Sequence, residues 1–364
     1  MNSLKIKAAV CREFKTPLAL ETLELAAPQK GEVRVKVKAC AICHSDITYM
    51  DGNWGGTLPA VFGHEASGRV ESLGPGVKGF TPGDSVIVTL IRSCGDCYFC
   101  NKGHQVNCET SFALDKKSPL SQNQESIHQG LRTGAFAEYV TVEASQLCKM
   151  PESMDFAAAS LLACGAITGV GAALNTAKVP EGASTMIIGC GGVGLNTVQG
   201  CALAKARQVI AVDTQNNKLD IAKTMGATHS INPNEQDLRQ ELLKMTEGRG
   251  PDYLFVTVGS GALIELAFEL IANTGTAIIV GMPASDVITR FDPATFANNG
   301  QKLLGSKMGS AQVQIDIPFL LKLYHEGRLQ LDTLISNRYK FKEINQAILD
   351  SKRGKSLRNV ILFD

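Results

Sequence analysis

An excess of charge of one sign is what this sequence lacks. Its 364 residues carry 36 Lys and Arg against 35 Asp and Glu, a formal net charge of +1, so no global field draws the chain toward nucleic acid or an anionic membrane. The opening Met1-Asn2-Ser3-Leu4-Lys5-Ile6-Lys7 lacks the apolar stretch of a secretory signal peptide. Internal repeats and low-complexity linkers are missing too. The expected compartment is therefore the reducing cytoplasm, where grouped cysteines point to metal or catalysis before disulfides. What is present is apolar content: 44% hydrophobic residues against 20% charged excludes disordered and fibrous classes and supports about two domains of about 150 residues. Two uncharged stretches, Asp155 to Lys178 and Glu181 to Lys205, are long enough to span a bilayer. Both are mostly Ala and Gly with polar residues interspersed, and the second is broken by glycines, which favours interior segments over membrane spans.

The first 150 residues read as β structure. Segments around Ala8–Cys11, Val33–Val37, Gly68–Ser72, Ser85–Val88 and Ala137–Val142 are short and rich in β-branched residues, with Gly74-Pro75-Gly76 and Pro82-Gly83-Asp84 as turns. A small barrel or sandwich is expected, and the polar run Asp115 to Arg132 reads as an irregular loop. From about Glu181 compact apolar strands (Thr185–Ile188, Gln208–Val212, Tyr253–Val258, Thr276–Val280) alternate with helical stretches (Val193–Ala206, Asn217–Met225, Glu235–Thr246, Ala262–Ala272). That alternation is the mark of a doubly wound parallel sheet in an α/β protein. Leu357–Phe363 reads as one more strand.

Directly after the first of these apolar strands comes Gly189-Cys190-Gly191-Gly192-Val193-Gly194, and nineteen residues beyond Gly194 stands Asp213. Glycines let backbone approach a pyrophosphate at a helix N-terminus, and an acid at this distance accepts from the ribose hydroxyls of a dinucleotide. A carboxylate repels a 2′-phosphate, and Thr214, Gln215, Asn216 and Asn217 supply no arginine, so NAD is expected over NADP. Lys218 and Val280 are assigned to the same cofactor site.

The chain has 11 cysteines. Cys94, Cys97, Cys100 and Cys108 place four thiolates within fifteen residues, which suits a closed, structural tetrahedral zinc. An iron–sulfur cluster is the competing reading. A nucleic-acid zinc ribbon is disfavoured because only Arg92 and Lys102 are basic between Arg92 and Thr110. Cys43, His64 and Cys164 form a second, scattered set matching an open Cys₂His zinc site. Spacing alone leaves it open against core cysteines and a surface histidine, although Asp46 and Glu65 are the carboxylates that orienting a metal-bound imidazole calls for.

Taken together, Cys43-His44-Ser45-Asp46, Gly63-His64-Glu65-Ala66-Ser67-Gly68, the four-cysteine lobe, Cys164 and the glycine loop resemble the zinc-containing alcohol dehydrogenases of the medium-chain dehydrogenase/reductase superfamily, over essentially the whole chain and in order. The resemblance implies a GroES-like β-barrel catalytic domain (1–165 and 309–364) and a Rossmann domain (166–308). It implies two zinc ions per subunit, with the catalytic one on Cys43, His64 and Cys164 and with Glu65 and Asp46 behind it. Ser45 would take the alcohol proton, and His44 and Arg358 would reach the cofactor pyrophosphate. Thr48 stands where relatives often carry a relay histidine, so no role is assigned to it. Trp54 and Phe112 are candidates for an apolar pocket suited to an aromatic or medium-length alcohol. The expected activity is NAD-dependent oxidation of an alcohol to an aldehyde or ketone, with a homodimer expected ahead of a homotetramer and no nucleic-acid or membrane partner. A polyol dehydrogenase, a thiol-adduct formaldehyde dehydrogenase or dismutase, and a zinc-bearing binding protein without activity are the alternatives.

Overall fold

The computed structural model describes residues 3–354 and 356–364, so Met1 and Asn2 of the N-terminal segment lie outside it. The chain divides into two compact units, Met1–Gly165 with Gln312–Asp364, and Ala166–Ala311. The second unit thus keeps residues 309–311, which the expected boundary had given to the first. The cause is local bonding within that unit, where Asn175 Nδ2 donates to the Gly309 carbonyl and the hydroxyls of Thr176 and Ser310 are 2.7 Å apart.

In the first unit five strands close a barrel in the order Leu4–Cys11, Ala19–Leu25, Leu120–Gln122, Glu125–Gln129, Ala60–Val61. The run Asp115 to Arg132, expected as irregular loop, supplies two of these strands and is corrected here. Leu120 and Ile127 face each other and are buried, while Ser121, Gln122, Glu125 and Ser126 between them are not. The link is the two-residue turn Asn123-Gln124, both at positive φ (48° and 71°), the backbone that matches the twist of an antiparallel hairpin. Period-two burial was present in the sequence, but the polar majority hid it.

A seven-stranded sheet completes this unit. Its central strand Glu32–Ala41 pairs antiparallel with Glu65–Leu73 on one side, bringing Ala41 opposite Glu65, and with Arg358–Leu362 on the other, bringing Val360 opposite Ala41. Three segments far apart in sequence therefore end at one place.

The second unit is a six-stranded parallel sheet in the order His229–Ile231, Gln208–Val212, Ser184–Ile188, Tyr253–Val256, Thr276–Ile279, Lys302–Gly305. Numbered along the chain this is 3-2-1-4-5-6, with the order reversing at Ser184–Ile188, the doubly wound arrangement whose ligands bind beyond the strand ends at that switch. Its core is Met186, Ile188, Ile210, Val212, Leu254 and Val256 packed against helical Ile264, Ala267 and Leu270. The four inner strands are the ones expected from composition. The edge strands His229–Ile231 and Lys302–Gly305 were not, because they are short and the second is largely exposed.

The stretch Asp155 to Lys178 forms a helix, Phe156–Thr176, long and apolar enough to cross a membrane, yet 94% of its most apolar window is buried within the protein. Asp155 caps its start, accepting from the N–H groups of Ala157 and Ala158. The stretch after Glu181 splits at its glycines into strand Ser184–Ile188 and helix Gly192–Leu203. A residue free to adopt positive φ at the hairpin tip should raise stability: we expect Gln124→Gly to add about 0.5–1 kcal/mol, read as a higher urea midpoint at unchanged slope.

Candidate functional site

Cys43 follows the central strand of the first unit and is the cap residue of helix His44–Met50. Asp46, in the first turn of that helix, is fully buried. Its Oδ2 accepts from the Cys43 N–H at 3.3 Å, and its Oδ1 accepts from the Gly63 N–H at 2.9 Å and lies 3.0 Å from His64 Nδ1. A carboxylate so buried is tolerated because three N–H groups surround it. With Nδ1 donating to Asp46, His64 presents Nε2 as the free donor atom for a metal. That Nε2 is buried and has no hydrogen-bond partner.

Cys164 arrives from the long helix Phe156–Thr176, on a π-helical turn spanning Leu162–Ala166. Such turns widen a helix by one residue and are frequent at functional sites. Ligand atoms of Cys43, His64, Glu65 and Cys164 all lie within 4.8 Å of one another, and all four residues are buried. Glu65, expected only behind a metal, is thus a potential ligand in its own right. Arg358, expected at the cofactor phosphate, is 5% exposed. Its Nη1 lies 3.2 Å from Glu65 Oε1 and 3.2 Å from the Ile42 carbonyl oxygen, while Nε and Nη2 are buried without hydrogen bonds. Gly165 makes room for it, since any Cβ there would collide with Nη2.

The electrostatics of the cluster fit a divalent cation. The Cys164 thiol donates toward Cys43, and with His64 it holds Cys43 well below the ordinary thiol range against burial. Cys164 in turn is raised, by that same bond and by burial. Burial works against a charged His64, but Asp46 and then Cys43 outweigh it and raise its pKa. Burial pushes Glu65 up to about 8 although Arg358 pulls the other way. Two thiols, an imidazole nitrogen without a partner and a carboxylate, converging without solvent, are the donor set of a zinc site.

The four-cysteine lobe forms a second donor set. Cys94, Cys97, Cys100 and Cys108 have sulfurs within 4.8 Å of one another, and the Cys94–Cys100 and Cys97–Cys108 separations are both 3.9 Å. Sulfurs 2.3 Å from a tetrahedral zinc stand about 3.8 Å apart. Backbone N–H groups of Asp96 and Cys97 donate to Cys94 Sγ, and that of Cys94 to Cys108 Sγ. The Thr110 hydroxyl, followed by the Asp96 N–H, brings Cys94 down to about 6, whereas burial pushes Cys100 up to about 12. The other five cysteines, Cys11, Cys40, Cys148, Cys190 and Cys201, are buried free thiols.

Around the first cluster, His44 is exposed and Ser45 partly so, in the first turn of the helix. Thr48 spends its hydroxyl on the His44 carbonyl at 2.8 Å. Trp54 meets Tyr49 edge-on at 5.2 Å, and Tyr49 stacks on Phe62 at 6.0 Å, two residues before His64. Phe112 is not part of that group: its ring lies 5.6 Å from the Arg92 guanidinium carbon.

In the second unit the glycine loop divides its labour visibly. Gly189 has φ +92°, and a Cβ there would collide with Val258; a Cβ at Gly194 would collide with the Gly189 carbonyl. Gly191, by contrast, has φ −78° and nothing within 4 Å of a Cβ. The fold therefore requires glycine at 189 and 194, whereas a side chain at 191 would meet only open space. Gly191 caps helix Gly192–Leu203 with no side-chain acceptor, and Gly192 and Val193 are partly exposed, the arrangement in which first-turn N–H groups can receive an anion. Asp213, at the end of the neighbouring strand, accepts from the Cys190 N–H at 2.8 Å and the Gln215 N–H at 3.0 Å, which ties the loop to the residue expected to bind ribose. Lys218 is partly exposed on helix Asn216–Thr224, and Val280 is buried with its N–H on the Val256 carbonyl.

Two family models match: one described as Alcohol dehydrogenase GroES-like domain, over residues 29–152, and one described as Zinc-binding dehydrogenase, over residues 192–325. Alcohol dehydrogenase class-P of Arabidopsis thaliana is 34% identical over 370 residues, covering 98% of this chain and 97% of its own. Alcohol dehydrogenase 1 of Pisum sativum is 34% identical over 373 residues, covering 99% and 98%. Among solved structures, an alcohol dehydrogenase zinc-binding domain protein from Burkholderia ambifaria superposes with TM-score 0.94 at 32% identity over all of both chains. Benzyl alcohol dehydrogenase from Acinetobacter calcoaceticus superposes with TM-score 0.93 at 31% identity over 99% of this chain and 100% of its own.

The loop geometry separates stability from binding. Gly191→Ala should leave the unfolding free energy within about 0.5 kcal/mol of the parent while weakening dinucleotide binding at least tenfold by calorimetry; Gly194→Ala should lower stability itself. At the other cluster, Asp46→Asn should cut zinc affinity by about 10–100-fold, measured by competition with a chelator, and equal affinity would count against the pinning role.

Proposed function

Because the chain belongs to the zinc-containing alcohol dehydrogenases of the medium-chain dehydrogenase/reductase superfamily, we propose that it oxidises a primary alcohol, aromatic or of medium length, to the aldehyde with NAD as acceptor. The observation that carries this reading is the buried convergence of Cys43, His64, Glu65 and Cys164, with Asp46 on the far nitrogen of His64. Cys43, His64 and Cys164 would hold one zinc and the four-cysteine lobe a second, structural one. When bound, the zinc would supply Lewis acidity for an alcohol oxygen and the nicotinamide a hydride acceptor.

The remaining steps fall to the chain's own groups. The Ser45 hydroxyl, partly exposed beside Cys43, would take the alcohol proton and release it toward the cofactor ribose or water, since Thr48 is committed to its helix. Asp46 keeps His64 in one tautomer and one orientation. Glu65 is held in place by Arg358, 3.2 Å from its Oε1. In the second unit the N–H groups at 191–193 would receive the pyrophosphate, whereas Arg358, buried on Glu65 and the Ile42 carbonyl, is engaged within its own unit. Asp213 has lone pairs left beyond its two backbone bonds, and these would accept from the ribose hydroxyls. Its negative charge favours NAD over NADP.

The aromatic preference is supported by the Tyr49, Trp54 and Phe62 group, whose Trp54 ring is partly exposed, and by likeness to a benzyl alcohol dehydrogenase. Flat apolar surface of this kind favours an aromatic ring over a polyol chain. A homodimer in the cytoplasm completes the proposal.

The test is a panel of benzyl alcohol, hexanol, ethanol and sorbitol, followed as NADH formation with zinc content measured in parallel. We expect the first two to lead; sorbitol as best substrate would displace this reading in favour of a polyol dehydrogenase. Asp213→Gly should lower kcat/KM for NAD about 10–100-fold relative to NADP. Because loosening of the loop affects both cofactors, the ratio of the two is the informative quantity.

A further inference from the structure

Among the described residues, the largest fully buried side chain belongs to neither donor cluster: it is Arg92, 2% exposed. Its guanidinium is spread over three separate segments. Nε donates to Gln146 Oε1 at 2.8 Å, Nη1 to Asp115 Oδ1 at 2.9 Å, and Nη2 to the Arg132 carbonyl at 3.0 Å, with the Phe112 ring close by. Gln146 is itself fully buried and bonded to the carbonyls of Thr89 and Arg132. Asp115 also caps the short helix Ala113–Lys116 through the Phe112 N–H. The cation is felt further off by Glu32 and Glu143, both pushed up by burial and drawn back by Arg92.

The position of these contacts along the chain gives them meaning. Arg92 lies two residues before Cys94, the first cysteine of the lobe; Phe112 and Asp115 lie shortly after Cys108, the last. Between them the chain has little to hold itself together. Residues 94–108 contain one helical turn of four residues and one of three, and only Cys100, Val106 and Cys108 are buried. A loop without an apolar core takes its shape from its metal and from how its ends are fixed.

We propose that Arg92 is a positioning residue for the four-cysteine metal site, fastening the chain that enters the lobe to the chain that leaves it. The fastening brings the two ends of the ligand set together, and the Cys94 N–H reaches Cys108 Sγ at 3.4 Å. Removing a guanidinium from water is strongly unfavourable unless its donors are satisfied, so the three acceptors are held in mutual register as long as the arginine stays buried. A lysine cannot reproduce this, since its ammonium is a point charge with no planar fork. Preorganised ends reduce the loop entropy lost when the metal binds, and groups that orient ligands in this way commonly govern metal affinity by 10–100-fold.

This inference rests on the zinc reading of the lobe, and the experiment separates the two. In a Cys164→Ala parent, which removes the other centre, zinc content counts the lobe alone. Zinc transfer to a chromophoric chelator, and alkylation of Cys94, Cys97, Cys100 and Cys108 read by mass spectrometry, are then compared among the parent, Arg92→Lys and Asp115→Asn. Transfer at least tenfold faster in both variants, with alkylation rising in parallel and near-UV dichroism unchanged, is the expected result. A parent that holds no zinc overturns the lobe reading and the proposal with it. A parent that holds zinc, and variants that release it at the parental rate, overturn the positioning role alone, whatever happens to their melting temperatures. If Arg92→Lys does not fold, Asp115→Asn, whose side chain is 26% exposed, decides by itself.

Discussion

Everything at the first donor cluster depends on one carboxylate that touches no solvent. Asp46 receives the Cys43 and Gly63 N–H groups and the His64 ring, so a single side chain fixes where the helix begins, where the following strand begins and which imidazole nitrogen is left over. A buried carboxylate has a large desolvation cost and needs all of its donors. That requirement makes the arrangement cooperative, because neither of the two segments, the helix start at Cys43–Asp46 and Gly63–His64, can drift without leaving the charge unsatisfied. The rest of the cluster is assembled on this frame: Cys164 from a widened helical turn, Arg358 from a strand start, Gly165 as the space that admits the arginine.

The two donor sets solve the problem of gathering thiols in different ways. At Cys43 and Cys164 the sulfurs are buried, and charge is balanced locally by His64 and Arg358. Burial opposes the Arg358 charge, but Glu65 and then the two sulfurs outweigh it and hold its pKa above the ordinary range. The lobe stands nearer to solvent and relies on backbone N–H groups aimed at sulfur. Four thiolates around one zinc would tolerate nearby water, because a closed tetrahedron has no vacant position.

Much of this was legible in the residues. The four inner strands of the parallel sheet are continuous apolar runs, and the glycine loop and the close-set cysteines follow from chemistry that acts over a few positions. The hairpin at Leu120–Gln129 was not legible, since its buried residues are outnumbered by polar ones and its turn uses Asn123-Gln124 in place of a glycine pair. Arg92 was noticed only as a scarce positive charge in the lobe; its partners Asp115, Arg132 and Gln146 lie 23 to 54 residues away, beyond any local pattern. Glu65 was read as a carboxylate behind the metal; its place within 4.8 Å of the other three donors depends on its register opposite Ala41, which sequence does not display. What escaped in each case was a contact made by topology.

The pairing of Arg358–Leu362 with the central strand of the first unit has a temporal consequence. Arg358 and Ile42, bonded in the finished protein, are separated by 316 residues. During synthesis the whole parallel-sheet unit, residues 166–311, emerges between them, and such units generally fold as they appear. The barrel-bearing unit is therefore the first to be started and the last to be completed. Until its late strand arrives, Glu65 and the two buried sulfurs stand without their arginine, and the edge of the central strand that will receive Val360 has no partner. The strand edge that receives Val360 thus stays open until the last residues of the chain have been made.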